Sequence, residues 1–297
     1  MSCPVFTDNS VLLGEDTCVW AKLAGQESNS WANADPAGFN ENSLTYRLGG
    51  QRTIAPDWYM GGSFGVTQLQ ATSNGGSSGS GTAYDGSIAL KHTIGPWLFA
   101  GSLAIESGAF HSNRLVDLPA AGTITETAFL EQSDPSLLAV GGRLRGAYEF
   151  TFNDWYVRPY GDLDLVYAHM PAYTESGGGG YALNVATSNK MNVVLSPMVE
   201  FGGRYVAGEK IVLRPFLAVG MSFWPTNSRT VDSSFAGTSS STGTFSTLVK
   251  TPNVLGNFNT GVQLYRAGGL EVKAEYDLNI GGSFISQGGI ARIAYHF

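Results

Sequence analysis

The feature that most constrains this chain is a period-two alternation sustained over roughly eleven residues or more and repeated from end to end. In 270–280, LEVKAEYDLNI, one face takes Leu270, Val272, Ala274, Tyr276, Leu278 and Ile280. The other takes Glu271, Lys273, Glu275, Asp277 and Asn279. In 155–165, Trp155, Val157, Pro159, Leu163 and Leu165 oppose Tyr156, Arg158, Tyr160, Asp162 and Asp164. In 211–223, Ile211, Leu213, Pro215, Leu217, Val219, Met221 and Phe223 share a face with no charge on it. Alternate side chains of a strand leave opposite faces, so each segment is half apolar and half polar. Strands of soluble proteins alternate too, but average about 5–6 residues. The longer runs suit strands that cross a bilayer at a tilt.

The breaks between these runs alternate in length. Strands are expected at 16–24, 42–54, 58–70, 82–94, 97–109, 137–152, 155–169, 190–206, 210–224, 252–266, 270–280 and 286–297. Short turns fall at Ala55-Pro56-Asp57, Gly95-Pro96, Asn153-Asp154, Ala207-Gly208-Glu209 and Ala267-Gly268-Gly269. Long connections fall at 25–41, 71–81, 110–136, 170–189 and 225–251, with a modest one at 281–285. An even strand count with short turns on one side and long loops on the other predicts an all-β fold, a transmembrane antiparallel up-and-down β-barrel of about 12 strands. Short turns would face the periplasm and long loops the exterior. The loops, such as ATSNGGSSGSG at 71–81, are Ser/Thr/Gly-rich with little to bury, so mobility is expected.

Composition agrees. Charged residues make up 14% of the 297, against about a quarter in soluble proteins, yet the hydrophobic fraction is only 43% and the mean hydropathy −0.02. No run of about 18 apolar residues exists, so no transmembrane helix is expected. A net charge of −7 without a Lys/Arg cluster argues against nucleic-acid binding. Two cysteines build neither a disulfide-rich scaffold nor a Cys-ligated zinc site, and no cofactor or metal is expected. Trp58, Trp97 and Trp155 each fall within one residue of a short turn, the equivalent positions of an interfacial aromatic girdle. Ordinary aromatic preference for strand starts is the alternative.

If the apolar faces meet lipid, the opposite charges line the lumen. These are Arg47, Asp85, Lys91, Arg143, Arg145, Glu149, Arg158, Asp162, Asp164, Glu200, Arg204, Arg214, Glu271, Lys273, Glu275, Asp277 and Arg292. Both signs occur in similar number, so ion pairs between neighbouring strands are expected. A hydrated channel and a packed polar interior both fit this set. Catalytic signals are weak. Gly61-Gly62-Ser63-Phe64-Gly65 matches G-x-S-x-G, but inside a strand rather than at a strand-to-helix turn, where glycine marks close backbone approach. His92, His111, His169 and His296 have no metal spacing.

The chain ends on an alternating strand whose Ala291, Ile293 and Tyr295 share a face with Phe297. A terminal aromatic closing such a strand resembles the signal read by the barrel assembly machinery of Gram-negative outer membranes. With the opening strand Cys18-Val19-Trp20-Ala21-Lys22-Leu23, Tyr46-Arg47-Leu48-Gly49-Gly50 and Asp57-Trp58-Tyr59-Met60-Gly61-Gly62-Ser63-Phe64-Gly65, nearly the whole chain resembles the translocator domain of a type V autotransporter.

That resemblance implies an outer-membrane barrel at 16–297 that contacts lipid and the assembly machinery. It would anchor and help export an N-terminal passenger, which is absent here. Residues 1–15 would be a linker or lumen segment, a plug or a disordered tail. Self-cleavage of the linker by lumen acids, among Glu200, Glu271, Glu275 and Asp277, is known in some members, but the expectation is no enzyme. Met1-Ser2-Cys3-Pro4 lacks the basic and apolar regions of an export signal, so a cut from a longer precursor is expected. Oxidising compartments permit a Cys3–Cys18 bridge, the alternative being two free thiols. A stand-alone porin or a loop-based adhesin are the other readings.

Overall fold

The structure, a computed structural model, describes residues 3–6, 11, 13–31, 38–118, 127–178, 180–208, 211–226, 228–237, 243–266 and 268–297. Twelve strands form the wall. They are β1 (Cys18–Ser30), β2 (Phe39–Ala55), β3 (Trp58–Ser73), β4 (Ser78–Ile94), β5 (Trp97–Leu118), β6 (Ser136–Tyr148), β7 (Trp155–Met170), β8 (Ser188–Gly203), β9 (Ile211–Phe223), β10 (Val254–Arg266), β11 (Leu270–Gly281) and β12 (Phe284–His296). Each pairs antiparallel with the next. The last meets the first in continuous register, from Phe284 opposite Ser30 to His296 opposite Cys18. Closure joins the two ends of the wall, which hydrocarbon demands because it offers nothing to an unpaired N–H or C=O.

The tight turns follow from residues that tolerate the left-handed region. Asp57 (φ 63°), Gly95 (φ 57°) and Asn153 (φ 41°) adopt it at three of the short connections. The wall is inverted relative to a soluble core. On β9, Leu217, Val219 and Met221 are exposed on the outer face, whereas Arg214, Phe216, Ala218 and Ser222 are buried inside. Outward Leu48, Leu103 and Leu144 are each more than half exposed, as lipid-facing side chains are.

Several segments expected to be loops are paired strand. The β3–β4 ladder continues to Thr72 opposite Ser78, leaving only a tight turn where 71–81 is Ser/Gly-rich. Strand β5 runs on to Leu118 and pairs with Thr127–Ser133. Ser228–Phe235 pairs with Phe245–Lys250 within 225–251. The reason is environmental: above the hydrocarbon both faces meet water, so polar residues occupy both and the alternating signal vanishes while the backbone ladder persists.

The lumen and its N-terminal hairpin as candidate functional site

Inside the wall lies a cavity of about 680 Å³. Strand parity aims the polar face of the wall at it, and register then pairs the charges. Arg143 and Arg145 of β6 stand directly opposite Asp164 and Asp162 of β7 and bridge them at 2.6 and 2.5 Å. Arg214 contacts Glu200 at 2.5 Å. Arg158 pairs with Glu149, Lys273 with Glu275, and Arg292 with Glu271. Asn259 donates to both Glu275 and Asp277. Glu200 also accepts from Tyr156 Oη at 2.6 Å, and Glu271 lies 2.7 Å from His296 Nε2. The four acids that self-cleavage would draw on are thus all held by hydrogen bonds.

The Arg47–Asp85 pair, at 2.7 Å, spans two strand widths. Strand β3 runs between its partners and presents Gly65 at their level, opposite both. A Cβ on Gly65 would collide with the Asp85 carboxylate and lie 3.1 Å from Arg47 Nη2. The last glycine of the G-x-S-x-G match therefore clears the path of an ion pair. Ser63 Oγ of the same match lies 2.8 Å from Ser87 Oγ.

Residues before β1 enter this space. Pro4–Phe6 pairs with Leu13–Glu15 as a small hairpin at the short-turn end of the lumen. Cys3 is joined to Cys18 by a disulfide, and both pack against Trp20 and Ala294 of the inner wall. Glu15 accepts from Lys91 Nζ (2.9 Å), Gln51 Nε2 (2.8 Å) and the Cys3 amide (2.9 Å). The Leu13 amide donates to Glu149, just after β6, at 2.9 Å. Phe6 packs edge-on to Tyr265, and the Arg204 guanidinium lies 5.6 Å from its ring.

On the outside, Trp58, Trp97 and Trp155 are exposed beside the short turns. Trp58 stacks on His92, Trp97 meets Tyr148 edge-on, and Trp155 stacks on Phe152. At the same end Tyr295 stacks on Phe297, whose ring is 71% exposed. Ala291 and Ile293 pair in register with Leu23 and Ala21 of β1. Above the membrane, Arg114 on the β5 extension makes a bidentate contact with Glu175 (2.9 and 2.5 Å). That hydrogen bonding, opposed by burial, raises the Arg114 pKa above its ordinary value.

Several lumen residues escaped the sequence reading. Lys22 faces inward opposite both Arg47 and Arg292, and alternation with Val19 and Leu23 would have placed it there. Gln263 is wholly buried and accepts from Arg214 at 2.8 Å. Glu15 lies ahead of the first strand, where no periodicity exists to flag it.

A closed antiparallel barrel with an apolar exterior, aromatic rings at its short-turn end and an ion-paired interior is a bacterial outer-membrane β-barrel protein. This chain belongs to the Autotransporter beta-domain family, whose model matches residues 19–277. The fold is similar to the translocator domain of autotransporter NalP from Neisseria meningitidis (TM-score 0.71, 12% identity, covering 95% of this chain and 89% of that one). It is also similar to the beta domain of the Bordetella autotransporter BrkA (TM-score 0.66, 16% identity, 95% and 100% covered). A third likeness is to the transport unit of AIDA-I from Escherichia coli (TM-score 0.58, 14% identity, 94% and 90% covered). At such identities the likeness is one of fold. No curated protein matches the sequence.

Proposed function

We propose that this barrel anchors and helps export a passenger joined to its N-terminus, residues 1–15 forming the linker and 16–297 the translocator. The observation that carries this reading is the position of the segment before β1. It lies inside the lumen, bonded to Lys91 of β4 and to Glu149 just after β6, with Phe6 against Tyr265 of β10. Neutralised ion pairs along the wall offer a passing polypeptide polar contacts without a large uncompensated charge. In this reading the hairpin is the state after transport, closing the short-turn mouth, and the barrel performs no chemistry itself. The exposed Phe297 and its strand face serve the assembly machinery as a template for pairing.

The test is to fuse an export signal and a reporter domain ahead of Met1 and express the fusion in a Gram-negative host. Reporter cleaved by protease added to intact cells supports export. Reporter found only in the periplasm, beside a folded barrel, ends the proposal. One observation favours a stand-alone channel instead: the disulfide returns residue 3 to the mouth at which β1 begins. Under that reading, the intact chain conducts in a planar bilayer with the hairpin in place.

A further inference from the structure

One hydrogen-bonded row of the inner wall gathers cations across six successive strands. In register, Arg214 of β9 stands opposite Gln263 of β10, Gln263 opposite Lys273 of β11, and Lys273 opposite Arg292 of β12. Arg292 is opposite Lys22 of β1, and Lys22 opposite Arg47 of β2. All six residues line the central cavity. Five of them are cationic, and like charges directly opposite one another destabilise a sheet.

Four of the five are answered by acids from other positions. Glu200 meets Arg214, Glu275 meets Lys273, Glu271 meets Arg292 and Asp85 meets Arg47. Lys22, between Arg292 and Arg47, has neither a hydrogen bond nor an ion pair among the described residues. Glu275 and Asp277, one and two inward positions further toward the long loops on β11, are both held by Asn259 Nδ2 instead.

Two more donors on this wall lack protein partners. Gln263 turns its carbonyl oxygen to Arg214, which can only donate, so its Nε2 faces away and is buried unbonded. Trp20 Nε1, two residues before Lys22 on the same face, is likewise buried and unbonded, with the Arg292 guanidinium 5.5 Å from its ring. Ammonium, amide N–H and indole N–H groups are all donors, so what this wall lacks is an acceptor.

We propose that this face binds one oxyanion group, a carboxylate or a phosphate, seated on Lys22 between Arg292 and Arg47. Lys22 supplies the charge-assisted bond and Trp20 Nε1 a neutral donor beside it, while Gln263 Nε2 extends the donor face to β10. An anion there offsets the repulsion among three adjacent cations, a reason for binding that no neutral or cationic solute shares. Two sources present such a group: a free anion in the lumen, and an acidic side chain of a polypeptide lying in it. The cavity, about 680 Å³, has room for either. The site is independent of passenger export, and its failure would leave that reading standing.

The full chain in detergent is treated with formaldehyde and a borane reductant, and lysine methylation is mapped by mass spectrometry. In about 10 mM phosphate, Lys22 is expected to react about tenfold more slowly than in chloride of equal ionic strength, as for a dissociation constant of about 1 mM. Lys190, which donates to the Ser228 carbonyl near the long loops, should react alike in both. An acetylated tetraglutamate amide in place of phosphate separates the sources. Protection by phosphate, with or without the peptide, assigns the site to free anions, and protection by the peptide alone assigns it to acidic side chains. Whichever probe protects should also raise the urea midpoint, and Lys22→Met should abolish that rise with heat-modifiable migration intact. If Lys22→Met misfolds, the labelling of the unaltered chain decides. Equal reactivity of Lys22 in chloride, phosphate and peptide, or the same rise in midpoint in folded Lys22→Met, would overturn the proposal.

Discussion

Lys91 and Glu15 meet at 2.9 Å with their side chains only 6% and 7% exposed, tying the segment before the barrel to the wall of β4. Removing one partner of a buried pair strands the other, at a cost of about 3–5 kcal/mol, whereas replacing both with apolar groups is often neutral. Glu15→Gln should therefore lower the urea midpoint of refolded protein in detergent and expose the hairpin to protease. Adding Lys91→Met should recover most of the loss. An unchanged midpoint in the single variant would mean that the pair does not hold the hairpin.

The disulfide makes a separate contribution. Closing the loop from Cys3 to Cys18 is worth about 3 kcal/mol in the chain-entropy picture. Reduction, or Cys3→Ser with Cys18→Ser, should release the hairpin first and leave the twelve-strand ladder intact, since no barrel pairing passes through residue 3. Hydrogen exchange at Pro4–Glu15 should rise before exchange at β1. Simultaneous loss of protection in both would contradict this order.

Two glycines on neighbouring strands should respond oppositely to alanine. At Gly65 the methyl group meets Asp85 and Arg47, so the ion pair must shift, a strain of about 1–3 kcal/mol. At Gly86, on the outer face beside Phe64, nothing lies within 4 Å, and alanine should stabilise by about 0.4–1 kcal/mol. Unfolding titrations in matched vesicles read both, and equal responses would refute the steric account.

Charge should matter by face. Leu103→Arg puts a cation on the lipid-facing side, with an expected loss of about 2–4 kcal/mol. Arg143→Gln removes a lumen cation that is half exposed to water and should change stability by no more than about 1 kcal/mol. A similar cost for the two would mean that the outer face is not in hydrocarbon.

Phe297 tests assembly apart from stability. Its ring is 71% exposed and adds little to the folded barrel, so Phe297→Ala should leave the urea midpoint within about 0.5 kcal/mol. In cells the same variant should slow the appearance of folded, heat-modifiable barrel severalfold. A normal rate of appearance would remove Phe297 from the assembly signal.

The sequence by itself determined which residues share a face and where the chain turns back. Alternation is a local property: a charge at Arg143, with Leu144 next to it, points into the lumen whatever the neighbouring strand does. Above the membrane that signal failed, because water on both sides removes the reason to alternate, and the paired extensions of β3, β4 and β5 went unread. Glu15 and Lys22 show two other limits, the first lying ahead of the barrel strands in a three-residue strand too short to show a period and the second on a face that alternation had already marked.

Pairing belongs to the tertiary structure. Lys22 and Arg292 come together only because β12 closes on β1, and Arg47 reaches Asp85 only because the register puts Gly65 between them. The hairpin likewise finds its place from walls that strands far apart in the chain create around it, at Lys91 and Glu149. Which side a residue faces follows from the geometry of one strand, whereas which residue it meets follows from closure and register, which link the two ends of the chain.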